Sequence, residues 1–139
     1  MQNTDKNADD VGSKRSYQSV LNRIEMQYGM LTSDRIKNEI NEIIVKTLCL
    51  AQPHVHHLFR SCQPDDMDNA LCFQILGFDI MIDHKLKPSL IEVNQMPSFQ
   101  TDSPLDYKIK QGVINDCIAI LNLSAKRRAR IKNQKRMEL

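Results

Sequence analysis

Tryptophan is absent from this 139-residue chain, and aromatic residues make up only 5% of it. Any core must therefore rest on Ile, Leu, Val and Met. No run approaches the roughly 18 apolar residues of a membrane-spanning helix, so no membrane partner is expected. The first residues, Gln2 to Lys6, are polar and unlike the apolar stretch of a secretory signal. None of the four cysteines, Cys49, Cys62, Cys72 and Cys117, belongs to a Cys-x-x-Cys pair. They read as reduced, mostly buried thiols of an intracellular protein, without disulfides. Four glycines form no Gly-rich phosphate loop. What is present is the length of one domain, with 41% hydrophobic residues, enough for a small core.

The net charge of +2 hides an asymmetry. Residues 126–139 hold seven Lys or Arg and one Glu, whereas the first 125 residues hold 12 basic and 16 acidic side chains. The basic tail suits an acidic partner, whose approach it would steer. No aromatics interleave with its charges, so stacking on nucleic acid is not expected.

Two polar clusters sit in apolar sequence: Gly77-Phe78-Asp79-Ile80-Met81-Ile82-Asp83, and Leu90-Ile91-Glu92-Val93-Asn94. Both alternate and are rich in β-branched residues, as half-buried strands are. A hairpin centred between Lys85 and Leu86 sets Asp83 opposite Pro88, Asp79 opposite Glu92 and Gly77 opposite Asn94. Asp79, Glu92 and Asn94 then share one face, opposed side chains lying about 5 Å apart at Cβ. Phe78, Ile80, Ile82, Ile91 and Val93 take the other face. Buried charge needs a counterpart, and three oxygen-bearing side chains suit magnesium. The competing reading has Asp79 capping a bulge and Glu92 pairing with a lysine. Leu86 suits a tight turn poorly, and a slip of one residue would part Asp79 from Glu92.

These residues also carry a resemblance. Cys72-Phe73-Gln74-Ile75-Leu76-Gly77-Phe78-Asp79-Ile80-Met81-Ile82-Asp83 is followed by Leu86-Lys87-Pro88 and Glu92-Val93-Asn94. Then come Pro97-Ser98-Phe99 and Thr101-Asp102-Ser103-Pro104-Leu105-Asp106. The series resembles the end of the catalytic domain of tubulin tyrosine ligase-like proteins, above all the polyglutamylase branch. Gly12-Ser13-Lys14-Arg15 resembles a segment of the same branch. The likeness runs from about residue 3 to residue 123 and is densest over residues 72–106.

The resemblance implies an ATP-grasp fold and a ligase. Such an enzyme activates a carboxylate as an acyl phosphate and joins it to an amine, here adding free glutamate to side chains in the glutamate-rich tails of α/β-tubulin. It implies ATP and magnesium as cofactors, with Asp79, Glu92 and Asn94 as the magnesium ligands at the ATP phosphates. A cytoplasmic, microtubule-associated setting follows, with cilium or basal body as particular places. Gln95-Met96 departs from the small or polar pair, commonly His-Ser, that the family has before Pro97. The upstream half that supplies the adenine pocket and the phosphate-holding lysines has no counterpart in this sequence. The chain is therefore expected to be a C-terminal portion, inactive by itself, with residues 1–123 a partial catalytic domain and residues 124–139 a basic tail.

The expected class is α+β: an antiparallel hairpin packed by helices, ending in a basic helix. A lone hairpin is marginal, so an exposed sheet edge and an apolar patch are expected. A helix over residues 17–28 has Val20, Leu21, Ile24 and Tyr28 on one face and ends at Gly29. A second begins at Ser33 as N-cap, with Asp34 in its first turn. It follows Ile36, Ile40, Ile43, Ile44, Thr47, Leu48 and Ala51, and stops before Pro53. His54, His56 and His57 then fall in a linker with no Cys or Glu to complete a zinc set. Residues 61–69 read as a polar loop whose Asp65, Asp66 and Asp68 lack the later ligands of a calcium loop.

Ser103 as N-cap and Pro104 at the first helical position start a last helix. Its stripe of Leu105, Ile109, Val113, Cys117, Ile120 and Leu121 is expected to cover the apolar face of the hairpin, and its N-terminus to assist an anion near the metal. Lys14 and Arg15 read either as phosphate- or acceptor-facing cations or as a surface pair. For the tail, Arg127, Arg128 and Arg130 are the expected contacts to microtubules. The alternative function is a non-catalytic microtubule-binding module acting through them.

Overall fold

The computed structural model describes residues 14–65 and 72–121. The order is α1 (Tyr17–Tyr28), α2 (Met30–Cys62), β1 (Gly77–Ile82), β2 (Pro88–Asn94) and α3 (Pro104–Leu121). Among the described residues, three helices and one antiparallel two-stranded sheet give an α+β class. The basic tail with Arg127, Arg128 and Arg130 lies outside the described residues, as do Asp66 and Asp68. The chain divides into two compact units. One spans Tyr17–Ser98; the other joins Met1–Ser16 to Phe99–Leu139.

In the first unit α1 and α2 meet at a single-residue corner. Gly29 has φ 87°, a region that only glycine enters freely. Its N–H donates to the Glu25 carbonyl at 2.8 Å, closing α1 as expected. Its own carbonyl accepts from Thr32 and Ser33, opening α2. The second helix therefore starts at Met30, three residues before the expected cap. Ser33 lies inside it, buried, and its hydroxyl donates to the Leu21 carbonyl across the corner. Packing against α1 supplies a partner that makes a Ser33 cap unnecessary.

The other end of α2 also departs from expectation. The helix continues through Pro53 to Cys62. Pro53 removes one backbone donor, but the next nine residues contain no glycine and no further proline, so the helix resumes. His54, His56 and His57 are thus exposed helical residues rather than a linker. The chain leaves the helix only at Gln63, whose N–H caps the Phe59 carbonyl.

The core is small: Leu21, Ile24, Ile36 and Ile40, with Val20, Ile44, Ile80, Ile82 and Leu86 packed on it. Within this unit the α1–α2 pair packs on the apolar side of the hairpin. Beyond Ile44 most large apolar residues of α2 face solvent, Val45, Leu48, Leu50, Val55 and Leu58 among them, while Phe59 is half-buried. Cys49, Cys62 and Cys72 are exposed free thiols and only Cys117 is half-buried, against the expectation of burial. No described helix is long and apolar enough to cross a membrane.

The second unit holds α3. Ser103 and Pro104 start it as the sequence predicts. The Ser103 carbonyl accepts from Tyr107 N–H, and the Ser103 hydroxyl oxygen accepts from Asp106 N–H at 3.2 Å. Ile109, Val113 and Ile120 of its stripe are exposed.

Candidate functional site

The hairpin places Gly77 opposite Asn94, Phe78 opposite Val93 and Asp79 opposite Glu92, as expected. Nearer the turn the register differs. Ile80 faces Leu90, Met81 faces Ser89, and Ile82, not Asp83, faces Pro88. The turn is therefore one residue longer than expected, His84 to Leu86, with Leu86 in the left-handed region at φ 59°. Ile91 is left without a cross-strand partner as a bulge, and it is 63% exposed rather than on the apolar face.

Local chemistry explains the turn. The Asp83 carbonyl accepts from Leu86 N–H, and Asp83 N–H donates to the Lys87 carbonyl. One Asp83 carboxylate oxygen accepts from Lys85 and Lys87 N–H at 2.8 and 2.9 Å. These bonds, that from Lys87 first, hold the Asp83 carboxyl below its ordinary pKa. In this unusual backbone conformation the Leu86 side chain packs on the core. Its carbonyl accepts from Arg35 on α2 at 3.3 Å, and Arg35 also pairs with Glu39.

At the far end, Asp79, Glu92 and Asn94 converge. The Asn94 amide donates to Asp79 at 3.4 Å and to Glu92 at 3.3 Å. Asp79 and Glu92 are exposed and Asn94 half-buried, so the oxygens are open to a ligand. A Cβ on Gly77 would lie 3.3 Å from that of Pro97 and 3.5 Å from that of Asn94. Glycine thus lets Asn94 and the loop after it close in. Gln74, a residue that alternation gave no reason to single out, donates to the Gln95 carbonyl at 2.9 Å and ties down the same loop.

Two carboxylates and an amide oxygen are hard donors that fit magnesium, which keeps several waters and binds through few protein ligands. Among the described residues no group of three or more His, Cys, Asp or Glu gathers.

A second polar centre lies in the other unit. Lys14 contacts both carboxylate oxygens of Asp106, at 2.6 and 2.8 Å. The Ser103 hydroxyl donates to the same carboxylate at 2.9 Å. Asp106 is 7% exposed. The Lys14 bond, then the Ser103 bond, hold its carboxyl below the usual range. Ser103-x-x-Asp106 is a capping-box spacing with Asp for the usual Glu, the signal by which Asp106 was findable. Lys110 donates to the Gln100 carbonyl nearby.

Comparison with known proteins identifies the family. The tubulin-tyrosine ligase family model matches residues 1–130. A protein of Tetrahymena thermophila named a probable beta-tubulin polyglutamylase is 44% identical over 96% of this chain and 11% of its own length. Tubulin polyglutamylase TTLL7 of Mus musculus is 39% identical over 91% of the chain and 14% of its own length. Tubulin polyglutamylase TTLL13 of Homo sapiens is 44% identical over 81% and 14%. The chain thus spans about a seventh or less of these relatives. With the match covering nearly all of its residues, the chain belongs to the tubulin-tyrosine ligase family.

Proposed function

We propose that the chain is the part of an ATP-dependent tubulin polyglutamylase that carries the magnesium-binding carboxylates of its ATP-grasp domain. The observation that carries this reading is the convergence of Asp79, Glu92 and Asn94 on one exposed face of the hairpin. The names of the relatives support the same reaction and substrate. In the whole protein, ATP activates a carboxylate, and the acyl phosphate is then attacked by the amine of the joining partner, with loss of phosphate and formation of an amide. Free glutamate and a glutamate side chain in a tubulin tail are the two partners.

Asp79 and Glu92 would hold the magnesium through their carboxylates and Asn94 through its amide oxygen, after the amide turns from donating to accepting. Bound there, magnesium neutralises charge on the phosphates. Gly77 and Gln74 keep the loop after Asn94 close to that face. The setting is the cytoplasmic microtubule cytoskeleton, cilia included.

The test is glutamate incorporation into tubulin by the whole protein carrying Asp79→Asn. Loss of several kcal/mol of charge stabilisation predicts a drop of about 100-fold or more, with the circular dichroism spectrum unchanged. Undiminished incorporation would remove Asp79 from the site.

A second reading rests on charge alone. Residues 126–139, with seven basic side chains, suit an acidic tubulin surface. Reversing Arg127, Arg128 and Arg130 should then abolish microtubule co-sedimentation, whereas Asp79→Asn should leave it intact. Retained co-sedimentation in the reversed variant would dismiss the tail as a contact.

A further inference from the structure

The hairpin contains two irregularities that cancel. From the turn, the ladder runs Ile82–Pro88, Met81–Ser89, Ile80–Leu90. Continued without interruption, it would set Asp79 opposite Ile91 and Phe78 opposite Glu92. Glu92 would then share a face with Phe78, Ile80 and Ile82, on the side that packs on the helices, away from Asp79. The bulge at Ile91 shifts the register by one residue just before Glu92, and Asp79 meets Glu92 after all. The first irregularity has its own cause. Leu86 sits at φ 59°, where any non-glycine residue is uncommon and a β-branched one an outlier. Its side chain is packed on the Leu21–Ile36 core, and Arg35 holds its carbonyl.

We infer that Leu86 and Ile91 are a coupled pair of positioning residues for the Asp79–Glu92–Asn94 cluster. The helix-anchored turn at Leu86 displaces the ladder by one residue, and the bulge at Ile91 restores it where the carboxylates begin. Ile91 acts as a spacer whose side chain is not needed; this explains why a large apolar residue in a strand is left 63% exposed. The functional part of the inference rests on the cation reading of the cluster, whereas the register does not.

Length variants of the full chain test it by nuclear magnetic resonance, with manganese as a paramagnetic stand-in for magnesium. Deleting Ile91 should leave the Asp79–Glu92 cross-strand contact in place, because an anchored turn turns the deletion into a regular ladder. Leu86→Ile should expel residue 86 from the left-handed region, shorten the turn, and change the partner of Ile80 from Leu90 to Ile91, again keeping Asp79 against Glu92. The two changes together should push Glu92 opposite Ile80. They should abolish manganese broadening at Asp79, Glu92 and Asn94 while the Leu21–Ile36 contact persists.

Glu92 opposite Ile80 in the Ile91 deletion alone would overturn the inference. So would an unchanged Ile80–Leu90 contact in Leu86→Ile, a full-length variant that stands on its own if the deletion unfolds. Contacts as expected, with no manganese broadening in the unaltered chain, would instead sink the cation reading and leave the register device standing.

Discussion

Lys14 and Asp106 lie 92 residues apart in sequence, yet the Lys14 ammonium is 2.6 Å from one Asp106 carboxylate oxygen and 2.8 Å from the other. The same carboxylate completes the cap of α3 with Ser103. One buried group therefore closes a helix end and holds Lys14.

Asp106→Asn should destabilise this unit by about 1–2 kcal/mol, the sum of a weakened cap and a half-exposed ion pair. The pH dependence has a definite sign. A depressed carboxyl pKa contributes stability above the ordinary carboxylate value and loses it as pH falls through the lowered, folded value. Urea midpoints of the parent chain and of Asp106→Asn should differ by a constant amount near neutrality and converge below about pH 4. A gap that widens toward acid would contradict the ion pair.

The core hangs on few side chains. Ile36 is fully buried among Leu21, Ile24 and Ile40. Ile36→Ala should cost about 2–5 kcal/mol, comparable to all that a core of this size supplies. Cooperative urea unfolding should then disappear. Val45→Ala, at a position 57% exposed, should stay within about 0.5 kcal/mol of the parent.

Pro53 interrupts the hydrogen bonding of α2. Pro53→Ala restores a donor to the Cys49 carbonyl and should stabilise the helix by up to about 3 kcal/mol. Amide exchange across residues 54–62 should slow. Unchanged exchange would mean that this half of α2 is already held by something other than its own backbone.

Gly77→Ala asks Pro97 or Asn94 to move by a few tenths of an ångström. About 1 kcal/mol of overpacking is expected, together with altered shifts of the Asn94 side-chain amide as it moves off Asp79 and Glu92. An unaltered Asn94 amide would show that the loop after β2 absorbs the extra methyl.

Much of the site was legible locally. Period-two alternation put Asp79, Glu92 and Asn94 on one face, and Ser103-Pro104 marked the start of α3, because strand pleat and helix caps are decided by neighbours a few residues away. The turn was not legible. Leu86 is a poor turn residue, and nothing beside it in sequence announces the core into which it packs. The pairing of Asp79 with Glu92 came out right only because a turn longer by one residue was matched by a bulge. Pro53 misled in the other direction: its local cost is real, but a 33-residue helix absorbs it.

The sequence by itself determined α1, the start of α3, the polar face of the hairpin, the family and the concentration of basic charge near residue 130. Tertiary structure alone decided which helices cover the hairpin, where Lys14 finds its carboxylate, and how the ladder is shifted and restored between Leu86 and Ile91. The reason is range. Alternation, capping and charge are set by residues within a few positions of one another. A helix face, a distant counter-ion and the burial of Leu86 arise only once segments far apart in the chain have met.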